Sequence, residues 1–257
     1  MKRAAACDLD AGLKRLHLPT IRRIHSELSA QAEQESWTHR ELLEQLVAEE
    51  IAHRQETRIQ RAVKKAHFAF LKTIEQFDFT FQTSVQRKAL GRFLGPELVE
   101  EGRSVVLLGR PGRGKTHLAT AIAYKAIQNG YDARFTTAAA LLNDLHKAAR
   151  EGRLDAALDA YVEPHVLVID ELGYLAYGPD AANCLFQVVD QRHLTPRRAL
   201  VITTNKEPKG WGSVLHDEDL AEAIVDRVLE RGEIVRLSGR SFRNPAGDGP
   251  VPIAANH

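Results

Sequence analysis

The chain has 257 residues, 44% hydrophobic and 27% charged, which is ordinary for a soluble globular protein and enough to bury a core without disulfides or a structural metal. Its 35 Lys and Arg against 34 Asp and Glu leave a formal net charge of +1, excluding a uniformly basic nucleic-acid coat and an acidic solvating chain. No run approaches the about 18 apolar residues of a membrane span, and Asp8 and Asp10 interrupt the basic start before any apolar targeting stretch. The two cysteines, Cys7 and Cys184, have no metal or redox spacing, so a cytoplasmic protein without a membrane partner is expected.

The near-zero charge hides segregation. Residues 1–25 carry a net +4, residues 26–50 a net −6, residues 53–72 a net +5 and the remainder −2. Leu9, Leu13 and Leu16, then Ile21, Ile24 and Leu28, suggest two short helices parted near Pro19. Thr38-His-Arg-Glu41 reads as a capping box, in which hydroxyl and carboxylate each satisfy an orphan backbone donor. A periodic run follows through Leu42, Leu43, Leu46, Val47 and Ile51. Arg54, Arg58, Arg61 and Lys65 then share one helical face, which can meet a polyanion. The alternative is a solvated basic face on a packing helix, whose apolar side carries Ile59, Ala62, Val63, Ala66 and Phe70. Residues 1–80 are thus expected to form a small all-α module, with Phe77–Phe81 as an extended linker.

Gly109-Arg-Pro-Gly-Arg-Gly-Lys115-Thr116 fits G-x-x-x-x-G-K-[ST]. The strand-like Ser104–Leu108 precedes it, and a helix-competent stretch from Thr116 to Asn129 follows. That order makes a phosphate cradle: glycines let backbone N–H groups close on phosphate, and the helix amino terminus adds positive partial charge. Lys115 is expected to reach the β- and γ-phosphates of a nucleoside triphosphate, and Thr116 to ligate Mg²⁺. Strand-like Val166–Ile169 ends in Asp170 and Glu171, at the edge where open α/β sheets bind ligands. Asp170 suits the Mg²⁺ shell and Glu171 a general base for water; the alternative is a simple strand-end turn. A further strand from Ala199 ends at Asn205, either a residue that orients the attacking water or one that merely stops the strand. With Ala133–Thr137 and Ile234–Leu237 as further strands, and helices over Ala138–Arg150, Leu154–Tyr161 and Ala181–His193, five strands alternate with helices.

These residues, with His117-Leu-Ala119, Ile169-Asp-Glu-Leu-Gly-Tyr-Leu175, Thr204-Asn205, Trp211, Asp217–Arg227 including Ala223-Ile-Val-Asp-Arg227, and Gly239-Arg-Ser-Phe-Arg243, resemble the IstB-like helper ATPases of insertion sequences. That AAA+ family is similar in turn to the DnaC-type helicase loaders. The resemblance implies an α/β P-loop NTPase of AAA+ type over residues 81–243, with a five-stranded parallel sheet and no helical lid, then a disordered tail over 244–257. It implies a nucleotide-contacting set of Gly109, Gly112, Arg113, Gly114, Lys115, Thr116 and His117. Arg227 is the implied arginine finger, acting in trans, with Arg231 the second choice and a salt-bridged helix-end arginine the alternative. Implied as function is an ATP-dependent transposition helper, which self-associates with ATP on duplex DNA, hydrolyses ATP and recruits or stimulates the transposase of its element. The resemblance makes residues 1–80 its DNA- and partner-binding module, with Arg54, Arg58, Arg61 and Lys65, together with Arg236, Arg240 and Arg243, contacting DNA phosphates without base readout. A helicase loader, a small-molecule phosphotransferase and a nucleotide-gated scaffold are the alternatives. Arg110 and Arg113 depart from the family's smaller or neutral P-loop residues; Arg113 either adds phosphate affinity or crowds the loop.

Overall fold

The computed structural model describes residues 8–174, 177–178 and 180–243; the expected tail at 244–257 lies outside them, as does Cys7. The chain divides into two compact units, residues 1–61 and 62–257. Among the described residues no helix is long and apolar enough to cross a membrane.

The first unit is helical. Helix α1 (Leu9–Arg15) is capped by Asp8, whose carboxylate accepts from the Asp10 and Ala11 amides. Helix α2 (Pro19–Gln34) begins on proline and lacks a local side-chain cap; helix α3 (His39–Ala66) supplies one instead. Glu50 of α3 accepts the Thr20 and Ile21 amides at 2.8 and 3.1 Å, satisfying donors that a helix start leaves open. The expected capping box is present: Glu41 accepts the Thr38 amide at 2.7 Å and Thr38 the Glu41 amide at 3.2 Å. The periodic run beyond it buries less than its pattern suggests. Leu46 is buried, whereas Leu43, Val47 and Ile51 stay 62%, 49% and 51% exposed.

In the second unit, one turn of 3-10 helix (Arg87–Leu90) and the short helices α4 (Gly91–Leu94) and α5 (Glu97–Glu100) lead into β1 (Ser104–Gly109). There follow α6 (Lys115–Gln128), β2 (Ala133–Thr137), α7 (Ala138–Arg150), α8 (Leu154–Val162), β3 (Val166–Leu172) and α9 (Ala181–Leu194). The chain then forms β4 (Ala199–Thr204), α10 (Gly212–Leu215), α11 (Glu218–Glu230) and β5 (Gly232–Leu237). The strands make one sheet in the order β2-β3-β4-β1-β5, parallel throughout. Crossover helices cover both faces of such a sheet, which is why β1, β3 and β4 are near-continuous apolar runs. Leu167, Ile169, Leu200 and Ile202 join α7, α9 and α11 in one core cluster, while α6 packs across β1 to β4. Among the described residues, β5 is followed by Ser238–Arg243 and no helix.

The carboxyl ends of β1, β3 and β4 lie side by side, with Leu108 in register with Thr204 and Ile169 with Ile202. A register shift between Ile169 and Leu172 bulges β3 there. Phe77–Phe81, expected as an extended linker, is instead folded: Asp78 Oδ1 accepts the Thr80 and Phe81 amides at 2.9 and 3.0 Å, and Phe77 is buried. Asp and Thr close such turns on their own backbone.

Candidate nucleotide site

The P-loop, residues 109–116, leaves the carboxyl end of β1 and opens α6. Gly112 and Gly114 take φ of +79° and +87°, and a Cβ on Gly112 would stand 2.2 Å from Ser241 Oγ. Both positions therefore require glycine. No side chain caps α6, whose cap residue is Gly114 itself, so its first amides are open to an anion.

Lys115 Nζ donates to the Arg110 carbonyl at 2.9 Å and to the Tyr174 hydroxyl at 3.0 Å. Burial pulls its pKa down to about 8, against the upward pull of the nearby Asp170 carboxylate. Thr116 Oγ1 donates to Asp170 at 3.1 Å, and the Thr203 hydroxyl donates to the same carboxylate. Asp170 is buried. A hydroxyl beside a buried carboxylate, facing open helix amides, is a hard-oxygen pair of the kind that Mg²⁺ takes together with substrate phosphates, so these residues fit the ion.

Glu171 sits in the β3 bulge with φ +62°, a left-handed conformation that costs a non-glycine residue on the order of 1 kcal/mol. Its amide donates to Thr203 Oγ1 at 2.9 Å, and its carbonyl accepts the Tyr177 hydroxyl at 3.2 Å. Bulges re-aim side chains next to functional sites; here the exposed carboxylate of Glu171 lines the cavity that holds Lys115 and Thr116.

That cavity, about 310 Å³, brings together Gly112, Arg113, Gly114, Lys115, Thr116, His117 and Glu171. His117 Nε2 lies 2.8 Å from the Thr73 carbonyl, and its ring meets Phe77 edge-on; burial holds its pKa low. Gly109 and Asn205 open into a different cleft on the other side of the loop. Arg227 is not at the cavity. Its Nε pairs with Asp190 at 3.1 Å, and with Arg231 it lines a crevice beside Ser104, at the amino edge of the sheet. From Ser104 to the P-loop is the length of β1, roughly 17 Å.

Four further residues complete the site, of which Thr203 and Gln82 carried no signal in the sequence. Thr203 bridges Asp170 and Glu171. Tyr174 holds Lys115. Buried Gln82 accepts the Gly239 amide at 3.1 Å and donates to the Arg113 carbonyl at 3.3 Å. The Phe242 amide donates to the Gly112 carbonyl at 2.8 Å, placing Arg243 on the cavity wall.

Of the candidate DNA-contacting residues, Arg54, Arg58 and Arg61 line a first-unit cleft of about 730 Å³ with Lys14 and Arg22. Lys65 lies on the last turn of α3, in the second unit. Arg54 is already engaged by Glu50 at 2.8 Å.

The chain matches the profile of the IstB-like ATP binding proteins over residues 11–246. It is 38% identical to the insertion sequence IS5376 ATP-binding protein of Geobacillus stearothermophilus, covering 89% of this chain and 90% of that one. With the insertion sequence IS21 ATP-binding protein of Pseudomonas aeruginosa it shares 34% identity, over 92% and 88% of the two chains. The solved structure of AMPPCP-bound DnaA from Aquifex aeolicus resembles it in fold, with TM-score 0.56 and 18% identity over 66% of this chain and 51% of that one. The chain thus spans about half the length of that structure.

Proposed function

The chain belongs to the family of IstB-like ATP-binding proteins, with the fold of an AAA+ type P-loop NTPase, and from that premise we propose that it is an ATP-driven helper of transposition. In this reading it assembles on DNA, hydrolyses ATP and recruits or stimulates the transposase of its element. One observation carries the ATPase part: Lys115, Thr116, Asp170 and Glu171 converge on the P-loop, while the implied finger Arg227 stays at the opposite edge of the sheet.

The roles follow from position. Open amides at the start of α6, together with Lys115, cradle the β- and γ-phosphates, and Arg113, His117 and Arg243 border them. Thr116 and Asp170 would hold Mg²⁺, which would neutralise negative charge developing on the phosphates. Glu171 accepts the proton of the attacking water, whereas Asn205, expected to orient that water, lines the neighbouring cleft instead. Because β1 separates Arg227 from its own P-loop, the finger serves a neighbouring copy, so hydrolysis follows assembly. The basic cleft around Arg54, Arg58 and Arg61, with Lys65 further along α3, contacts DNA phosphates without base readout.

Sedimentation and phosphate release, measured with duplex DNA and ATP over a range of salt, test the reading. DNA is expected to raise both oligomer size and turnover, with steep salt dependence. A salt-insensitive monomer whose ATPase ignores DNA refutes it. Pull-down of a replicative helicase in place of a transposase assigns the chain to loader duty instead.

A further inference from the structure

Two arginines interrupt the P-loop, and the cavity that holds Lys115 is lined by only one of them, Arg113. On the other side of the loop a second cleft, of about 650 Å³, opens at the carboxyl ends of β1, β4 and β5. Arg110 and Arg113 enter it from the P-loop, Arg236 from β5 and Arg240 from the segment beyond; Asn205 and Glu207 enter from the end of β4. Four arginines and one glutamate thus line the cleft. Glu207 pairs with Arg236 at 3.0 Å, both side chains more than half exposed. The Arg240 guanidinium lies over the Phe81 ring, 4.9 Å from its centroid, which orients its planar fork.

The walls of the cleft are tied together. Gln82 is fully buried and links the Arg113 carbonyl to the Gly239 amide, so the loop carrying Arg113 and the segment carrying Arg240 keep a fixed spacing. Arginine forks match phosphate oxygens bidentately, and the carboxyl edge of an open parallel sheet is where such ligands bind. An exposed ion pair contributes little, so Arg236 exchanges Glu207 for phosphate readily.

We propose that this cleft is a phosphate-oxyanion site separate from the nucleotide cavity, taken by the backbone of a nucleic acid or by free polyphosphate. Arg113, which lines both cavities, makes its occupancy felt at Lys115. Nucleic acid is the first source because the site rests on the reading that this chain works on DNA.

The test uses the full chain, random-sequence duplex DNA and inorganic pyrophosphate as probes, and two variants: Arg236→Gln with Arg240→Gln, and Glu207→Gln. The double variant is expected to bind DNA roughly tenfold more weakly, with a salt slope smaller by about 1 to 2. Glu207→Gln is expected to bind severalfold more tightly, since it removes the competing anion. ATPase without DNA stays unchanged in both. A folding defect does not move two variants in opposite directions. Pyrophosphate binding is followed by calorimetry in a Lys115→Ala background, which takes the phosphate ligand out of the nucleotide cavity. Opposite shifts for DNA support backbone phosphate, and opposite shifts for pyrophosphate alone support a free polyphosphate. No shift with either probe overturns the site. If the unsubstituted chain fails to bind DNA at all, the transposition reading falls, while the pyrophosphate arm still decides the cleft.

Discussion

Thr203 donates its hydroxyl to the Asp170 carboxylate at 2.5 Å while accepting the Glu171 amide at 2.9 Å. One side chain on β4 thus sets both carboxylates at the end of β3. Thr203→Val keeps the shape and removes the hydroxyl, leaving a buried acceptor and a backbone amide without their partner. Chemical denaturation should show a loss of about 1–3 kcal/mol. Mg²⁺-dependent turnover should fall at least tenfold, with ATP binding in the absence of metal unchanged. Unaltered turnover would show that Asp170 is placed without Thr203.

Glu171 joins a strained backbone to an exposed carboxylate. Glu171→Gln should keep nucleotide binding and lower phosphate release by roughly 10²–10⁴. Glu171→Gly should be as inactive yet more stable, by on the order of 1 kcal/mol, because glycine takes φ +62° without strain. Thermal melts and phosphate release on the same two samples check both outcomes, and a Gly variant less stable than the parent would count against backbone strain there.

Arg227 and Lys115 stand at opposite edges of the sheet. Arg227→Ala should lower turnover by about 10³, and Lys115→Ala should abolish it. Mixing the two inactive variants should restore part of the activity, since an intact Lys115 site then meets an intact Arg227 from its neighbour. A mixture as inactive as its components would place the finger elsewhere, with Arg231 next to be tested in the same assay.

The first unit should be acid-labile through one residue. Burial pushes the Glu50 carboxyl up, but hydrogen bonds from Arg54 and from the Ile21 and Thr20 amides outweigh it and hold the pKa below its ordinary 4.5. A carboxyl with a depressed folded pKa contributes stability fully above the unfolded value and loses it as pH falls through the folded one. The protection of the amides at the start of α2, corrected for the intrinsic pH dependence of exchange, should therefore fall below pH 4.5 in the parent chain. In Glu50→Gln the same amides should exchange faster already at pH 7, by about 1 kcal/mol of opening free energy, and lose that pH dependence. Parallel pH profiles for parent and variant would refute the assignment.

What the sequence discloses is what short range encodes. The P-loop between a strand and a helix, the apolar run ending in Asp170-Glu171, and the bounds of β2 and α7 are all local patterns, and the fold keeps them. Periodicity also names a helical face without naming its partner. That is why Leu43, Val47 and Ile51 read as packing residues yet stay exposed. The partners that fix the site come from far along the chain: Gln82 meets Gly239 across 157 residues, and Thr203 meets Asp170 across 33. A threonine at a strand end or a glutamine in a turn carries no mark of such a partner. Phe77–Phe81 misleads by its alternating aromatic residues, although Asp78 and Thr80 close the turn on the spot.

The hydrogen bond from Phe242 to Gly112 also orders events in time. On a ribosome the chain emerges amino end first, and β1, the P-loop and β3 are all available well before Ser238–Arg243. Until that last stretch arrives, the Gly112 carbonyl lacks its donor and the cavity lacks the wall formed by Phe242 and Arg243. Closure of the cavity thus waits on a stretch synthesised after β1, the P-loop, β3 and β4.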